Sequence, residues 1–154
     1  MKQLNILNLV LGFVLGLGFF YLLSHGFDSS ETKNKTIVKD FYEGVFVKHE
    51  VADYSDKYIG DIYIQHNPYL ADGKKPFVTY FTKYFTDHPD AKNSIKKMIA
   101  DKDLVVLQVH STKNKNDKGQ AIIDIFRLKN NKIVEHWDVV QSIPVSSNNG
   151  NTMF

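Results

Sequence analysis

Residues 120–141 read "QAIIDIFRLKNNKIVEHWDVVQ". Two β-type runs, 120–128 and 133–141, flank Asn130-Asn131, a pair that suits a tight hairpin because Asn tolerates positive φ. The first run is apolar on both faces, with Ile122 and Phe126 on one and Ile123 and Ile125 on the other. One face is expected to pack on helices and the other to meet something else, such as a second copy of the chain. In the second run Trp137 and Val139 fit a packed strand, whereas His136 and Asp138 are costly to bury unless something uses them. Alternation puts His136 and Asp138 on one face and Glu135 and Trp137 on the other. With the histidine and acid inward, the uncovered face is expected to hold Ile133, Trp137 and Val139. A regular two-residue hairpin pairs Asp124 with Trp137 and separates the two acids. An odd-length loop or a bulge brings Asp124 and Asp138 to the same side. The sequence leaves both open.

Upstream, "NSIKKMIA" (93–100) and "LVVLQVHS" (104–111) flank the turn Asp101-Lys102-Asp103. Ile37, Val38, Phe41, Tyr42 and Val45 recur at helical spacing between Thr32 and Phe46. A second, shorter helix is expected over 50–58, ended by Gly60. "DIYIQHNP" (61–68) reads as a strand closed by Pro68. Pro76 suits the first turn of a third helix, with Phe77, Tyr80, Phe81, Tyr84 and Phe85 on one face and Asp87-His88-Pro89 as its stop. Helices and an antiparallel sheet that are segregated along the chain indicate an α+β fold. The tail "SSNNGNTMF" reads as polar and loose.

The 154 residues allow one domain with a real core. Hydrophobic residues make up 43% of the chain and aromatic ones 13%, which excludes a disordered chain. With Lys2 set aside, 18 basic residues face 17 acidic ones, so there is no basic surplus of the kind that marks a nucleic-acid binder. The absence of cysteine removes disulfides, thiolate metal sites and a thiol nucleophile.

Ile6 to Leu23 is an 18-residue run in which only Asn8 is clearly polar. At about 1.5 Å per residue it nearly spans a bilayer's hydrocarbon core. It reads as an uncleaved anchor helix, or as a signal peptide cut after "SHG". Lys2, with no positive charge following the run, keeps the N-terminus cytoplasmic and puts the body outside the cytoplasm, secreted or periplasmic if the segment is cleaved. The division expected is 1–27 anchor or signal, 28–34 linker and 35–154 folded domain.

The motifs "YIQHNP" (63–68), "IADKDLVVLQVH" (99–110), "DIFRLKNNKIVEHWDV" (124–139) and the tail N-x-M-F (151–154) resemble, in order, the SnoaL-like polyketide cyclases of the nuclear transport factor 2-like superfamily. The resemblance implies a cone, in which a curved, mostly antiparallel sheet wraps round three helices and encloses a deep, largely apolar pocket. Here one N-terminal hydrophobic helix precedes it. The resemblance also implies an acid/base role for Asp138, which matches the cyclases' aspartate on the last strand. Where those cyclases often have a histidine, this chain has Asp124. Asn67 stands where ketosteroid isomerases have their basic aspartate, and an amide cannot take a proton. Many superfamily members pair sheet to sheet, so a homodimer is expected.

Asp138, Asp124 and His66 are the candidate catalytic residues. Two carboxylates in one apolar site, one protonated and one ionised, make an acid/base pair. The alternative for Asp124 is a structural acid held by Arg127 or a tyrosine. An imidazole at His66, at the end of the first strand, could polarise a carbonyl or accept a proton; the alternative is a histidine satisfied by a backbone carbonyl. Asn67, His136, His110 and Tyr63 are the candidate substrate-binding residues. No HxH or HExxH spacing points to a metal, and no organic cofactor is needed for proton abstraction beside a carbonyl followed by condensation, isomerisation or water loss. The function expected is therefore a membrane-attached SnoaL-like enzyme acting on a small apolar carbonyl compound. Its rival is a non-catalytic ligand-binding or assembly module, since one membrane helix before a cone domain is also the layout of a periplasmic subunit of type IV secretion machines.

Overall fold

The computed structural model describes residues 30–154. The expected anchor or signal segment, 1–27, lies outside them. Among the described residues no helix is long and apolar enough to cross a membrane. Helix α1 covers residues 30–46. It is followed by α2 (Val51–Tyr58), β1 (Ile59–Gln65), α3 (Lys74–Asp87), β2 (Lys92–Asp101), β3 (Leu104–Thr112), β4 (Gln120–Lys129) and β5 (Lys132–Ser142). The strands form one open, curved mixed sheet in the order β1-β5-β4-β3-β2. β1 runs parallel to β5, and the other pairs are antiparallel. This is the α+β arrangement that the element order predicts.

The core lies between the helices and one face of the sheet. Val38, Phe41, Tyr42 and Val45 of α1 are buried against Val105, Leu107 and Val109 of β3 and Phe126 and Leu128 of β4. The Phe41 ring lies 5.9 Å from both Phe77 of α3 and Phe126. Each such aromatic, fully buried, stabilises by about 1.5–3 kcal/mol. Helix α3 starts after Gly73, whose φ of 96° favours glycine, and Pro76 sits in the first turn, where its missing N–H costs nothing. It ends before Pro89, because the residue preceding a proline is pushed out of the helical region and His88 is extended with φ −131°.

The β4–β5 hairpin decides the geometry of everything inside the cone. Asn130 and Asn131 both have positive φ, 53° and 63°, as a two-residue I′ turn requires. Pairing starts regularly with Lys129 opposite Lys132 and Leu128 opposite Ile133. It then slips by one, so that Arg127 faces Glu135 and Val134 is left unpaired. Beyond this bulge Phe126 faces His136 and Asp124 faces Asp138. The bulge also corrects one expectation. Ile133 does not share the outer face with Trp137 but is fully buried inside, because the extra residue turns both Ile133 and His136 inward.

The outer face carries a cross-strand row of Ile99, Val106, Ile125 and Trp137. Ile99 is 64% exposed, and Val139, two residues beyond Trp137, is 70% exposed. The end of the tail is pinned rather than loose. Gln108 Nε2 donates to the Met153 carbonyl at 2.8 Å, and the Phe154 ring lies 4.9 Å from that of His110.

Helices α1 and α2 meet at Gly44, where a Cβ would fall 2.0 Å from Cγ of Tyr54. Alanine in a helix interior gains about 1 kcal/mol over glycine, whereas forcing a side chain into packed space costs about 1–3 kcal/mol. Overpacking is therefore expected to win, and Gly44→Ala should lower the urea midpoint. A higher midpoint would show that the Tyr54 ring swings away freely.

Candidate functional site

Alternation along β1 turns Tyr63 and Gln65 inward, with Asn67 just beyond the strand on the same side, while Ile64 and His66 face outward. β5 brings His136 and Asp138 to the same space, β4 brings Asp124, α1 brings Tyr42 and β2 brings Asn93. The chain turns sharply after β1, since Asn67 Oδ1 accepts the Tyr69 N–H at 2.9 Å. That turn holds the Asn67 side chain against the sheet.

One hydrogen-bonded network joins these groups. Asn67 Nδ2 reaches both oxygens of Asp138, at 2.9 and 2.7 Å. Gln65 Oε1 accepts the Asn67 N–H at 2.9 Å, which fixes which end of the Gln65 amide is oxygen. The same oxygen lies 2.9 Å from His136 Nδ1, so Nδ1 must carry a proton. His136 Nε2 lies 3.1 Å from Asp124 Oδ1. One proton therefore lies between Asp124 and His136, either as imidazolium and carboxylate or as neutral imidazole and carboxylic acid. Both residues are 6% exposed. Tyr42 donates to the other Asp124 oxygen at 3.2 Å, and Asn93 Nδ2 donates to the Tyr42 oxygen at 3.0 Å. Burial, and next the Asp124 charge, push the Tyr42 phenol well above its ordinary pKa, so it acts as a donor and not as a phenolate. Burial and the charges of Asp124 and Asp138 also raise Tyr63.

The network opens onto a cavity of about 220 Å³. Asn67, Asp124, His136 and Asp138, with Asn93, Ser111 and Gln120, supply the polar part of its lining; Phe77, Tyr80, Phe81, Tyr84 and Phe85 of α3 supply much of the apolar part. A larger cleft of about 580 Å³ runs between α1 and β2, past Lys39, Glu43 and Lys96, but no buried titratable group lines it. The buried titratable groups Asp124 and His136 line the smaller cavity instead. Among the described residues Asp124, His136 and Asp138 bring three ligand atoms within 4.8 Å, a set able to hold a metal ion. In this structure the shared proton joins the first two.

The sequence expectations divide by face. Asp124, His136, Asp138 and Asn67 lie together at the cavity. His66 does not. It stacks on Trp137 with ring centroids 4.7 Å apart and contacts Glu135 Oε1 at 2.9 Å on the outer face. Adjacent residues of an extended chain point to opposite sides, so His66 and Asn67 cannot both enter one pocket. His110 shares a face with Gln108 and Val106 as expected, but that face is the outer one, because Val105, Leu107 and Val109 fill the core. Its Nε2 contacts the Lys118 carbonyl at 2.8 Å. Tyr63 is buried behind the cavity and packs on Phe77 rather than lining it. Asp124 is held by a tyrosine and by His136, while Arg127 turns outward to Glu135 and Asp103, both at 2.7 Å. Gln65, Tyr42 and Asn93 were not singled out from the sequence. Alternation from Asn67 would have found Gln65. Tyr42 looked like one more apolar position of α1.

The raised tyrosines have a measurable consequence. Tyr42 and Tyr63 keep their protons in the folded state after an unfolded chain would have released them. Folded protein therefore binds more protons above the ordinary value of 10.0, and stability falls as pH rises through it. Tyr42→Phe should make the alkaline loss of stability shallower in urea melts taken at successive pH values. An unchanged slope would show that Tyr42 ionises normally.

The sequence profile of the SnoaL-like polyketide cyclases matches residues 36–148. No match is found among curated proteins. Solved structures with this fold include a protein from Acidithiobacillus ferrooxidans assigned as a polyketide cyclase, at 21% identity and TM-score 0.58, covering 70% of this chain and 87% of that one. A protein from Kribbella flavida assigned as a ketosteroid isomerase aligns at 7% identity and TM-score 0.63, covering 78% and 86%. A nuclear transport factor 2-like protein of unknown function from Mesorhizobium loti aligns at 15% and 0.61, covering 73% and 94%. At these identities the structures establish the fold, and the profile establishes the family: this chain belongs to the SnoaL-like polyketide cyclases.

Proposed function

We propose that the cavity carries out acid/base chemistry at the carbon beside a carbonyl group of a small substrate, as a cyclase, isomerase or dehydratase. The observation that carries this reading is the placement of Asp138, at the wall of an apolar cavity, directly across the strand pair from Asp124 and two residues along β5 from His136. Asp138 takes the proton from the carbon, and the C–H electron pair moves onto the carbonyl oxygen. The couple behind it holds one proton that can be lent to that oxygen or to a departing hydroxyl. The histidine that related cyclases often carry at the position of Asp124 is absent, and His136 supplies an imidazole from the neighbouring strand instead. The Asn67 amide, unable to act as a base, orients Asp138. Low-dielectric walls make each of these interactions stronger than it would be in water.

The test is hydrogen–deuterium exchange at the α-carbon of a panel of small ketones and esters, followed by NMR. Asp138→Asn should slow exchange by about 100- to 10,000-fold on any compound that the wild type accepts. Equal rates in both proteins would remove Asp138 from the reaction.

The same reading extends to assembly. The outer face, with Ile99, Ile123 and Val139 exposed beside Trp137, is apolar enough to favour an isologous dimer. Residues 30–154 are expected to dimerise at micromolar concentration, and Trp137→Glu to break the dimer by burying an unpaired charge. Sedimentation of the truncated protein as a monomer at every accessible concentration would reject this.

A further inference from the structure

The carboxylates on the two faces of β5 differ in their partners. Glu135 on β5 is contacted by His66 and by Arg127, and the His66 hydrogen bond, followed by that of Arg127, holds it below the usual carboxylate range. Asp124 shares a proton with His136. Asp138, three residues from Glu135 and on the opposite face, is bonded only by the neutral Asn67 amide. Among the described residues no lysine or arginine reaches Asp138, whose carboxylate faces the cavity. Among the described residues that line the cavity none is lysine or arginine, and nine are phenylalanine or tyrosine. Tyr80 and Tyr84, stacked with centroids 6.5 Å apart on α3, belong to that lining.

A half-buried carboxylate without a cation gains from one that reaches it. Aromatic faces attract cations and offer nothing to an anion. A ligand bearing a positive charge satisfies both features, and an anionic one opposes both. We propose that the cavity is selective for a compact organic cation, a substrate whose protonated or quaternary nitrogen lies against the aromatic wall and Asp138. This rests on the proposed function for the reacting carbonyl, and adds the charge of the group next to it. At about 220 Å³ the cavity falls below the usual range of roughly 300–1,000 Å³ for ligand sites, which limits the cation to a small one.

The test uses three probes of nearly one shape and different charge: choline, its neutral isostere 3,3-dimethylbutan-1-ol, and the anion 3,3-dimethylbutanoate. Binding to the full chain is measured by titration calorimetry. Choline is expected to bind about tenfold or more tighter than the alcohol, and the anion not at all. Asp138→Asn should bring choline and the alcohol to similar affinities. Tyr80→Leu, at the partly exposed end of the wall, should weaken choline more than the alcohol and serves if the first variant fails to fold. An alcohol that binds as tightly as choline, binding of the anion, or no choline binding would each overturn the inference. The exchange assay on neutral ketones separates the two readings. Asp138-dependent exchange without a choline preference removes the cation and keeps the reaction. A choline preference without exchange on any carbonyl supports the cation site and removes the reaction.

Discussion

The one unpaired residue in β5, Val134, sets the inside of this protein. Before it, Ile133 faces Leu128 in the core; after it, His136 and Asp138 face inward where an unbroken ladder would have turned them out. A strand reverses every side chain when its register shifts by one. Without the extra residue Asp124 would lie opposite Trp137, and the two carboxylates would occupy different faces of the sheet. With it they face each other at the mouth of the cone, and a histidine, an amide and a tyrosine can be drawn around them.

That arrangement puts a strongly polar group inside a hydrophobic core, and its neighbours offset the cost. Asp124 and His136 hydrogen-bond to each other. Tyr42 and Gln65 take up the remaining hydrogen-bonding capacity of the pair. A hydrogen bond to a charged group contributes about 1.5–3 kcal/mol, and an unsatisfied buried partner costs a similar amount, so the network persists only as a whole. Gln65 is its joint. Its oxygen receives both the Asn67 backbone and the imidazole, and so ties the tautomer of His136 to the turn that positions Asn67 on Asp138.

The two faces of β5 use the same residue types differently. Outside, Glu135 is paired with Arg127 and hydrogen-bonded to His66, and Trp137 lies between their planar groups, 4.7 Å from the imidazole and 5.5 Å from the guanidinium carbon. Inside, Asp138 has an amide and a cavity. A carboxylate with its two oxygens taken up by separate protein donors is a structural element, whereas one facing an apolar space with spare lone pairs is available to a ligand or a proton. Within four consecutive residues the strand thus separates a closed outer pairing from a carboxylate open to the cavity.

Much of the fold was legible in the chain. Helical spacing from Ile37 to Val45, the aromatic stripe from Phe77 to Phe85, the asparagine pair and the ordered motifs are local patterns, and local patterns are set by backbone periodicity alone. That His136 and Asp138 share one face was legible for the same reason; that the face is the inner one was not. Which face of β3 was inner was not, because Val106 and Gln108 offer the same spacing as Val105 and Leu107, and His110 was assigned to the pocket in consequence. His66 was misplaced beside Asn67 although alternation forbids both from entering. The bulge had no signature of its own: Val134 is an ordinary strand residue, and its lack of a partner exists only once β4 lies beside β5. Sequence thus determined the elements, the fold class and the residues able to do chemistry. Tertiary structure decided which of them meet, since pairing register and sheet facing depend on contacts between segments that are distant in the chain.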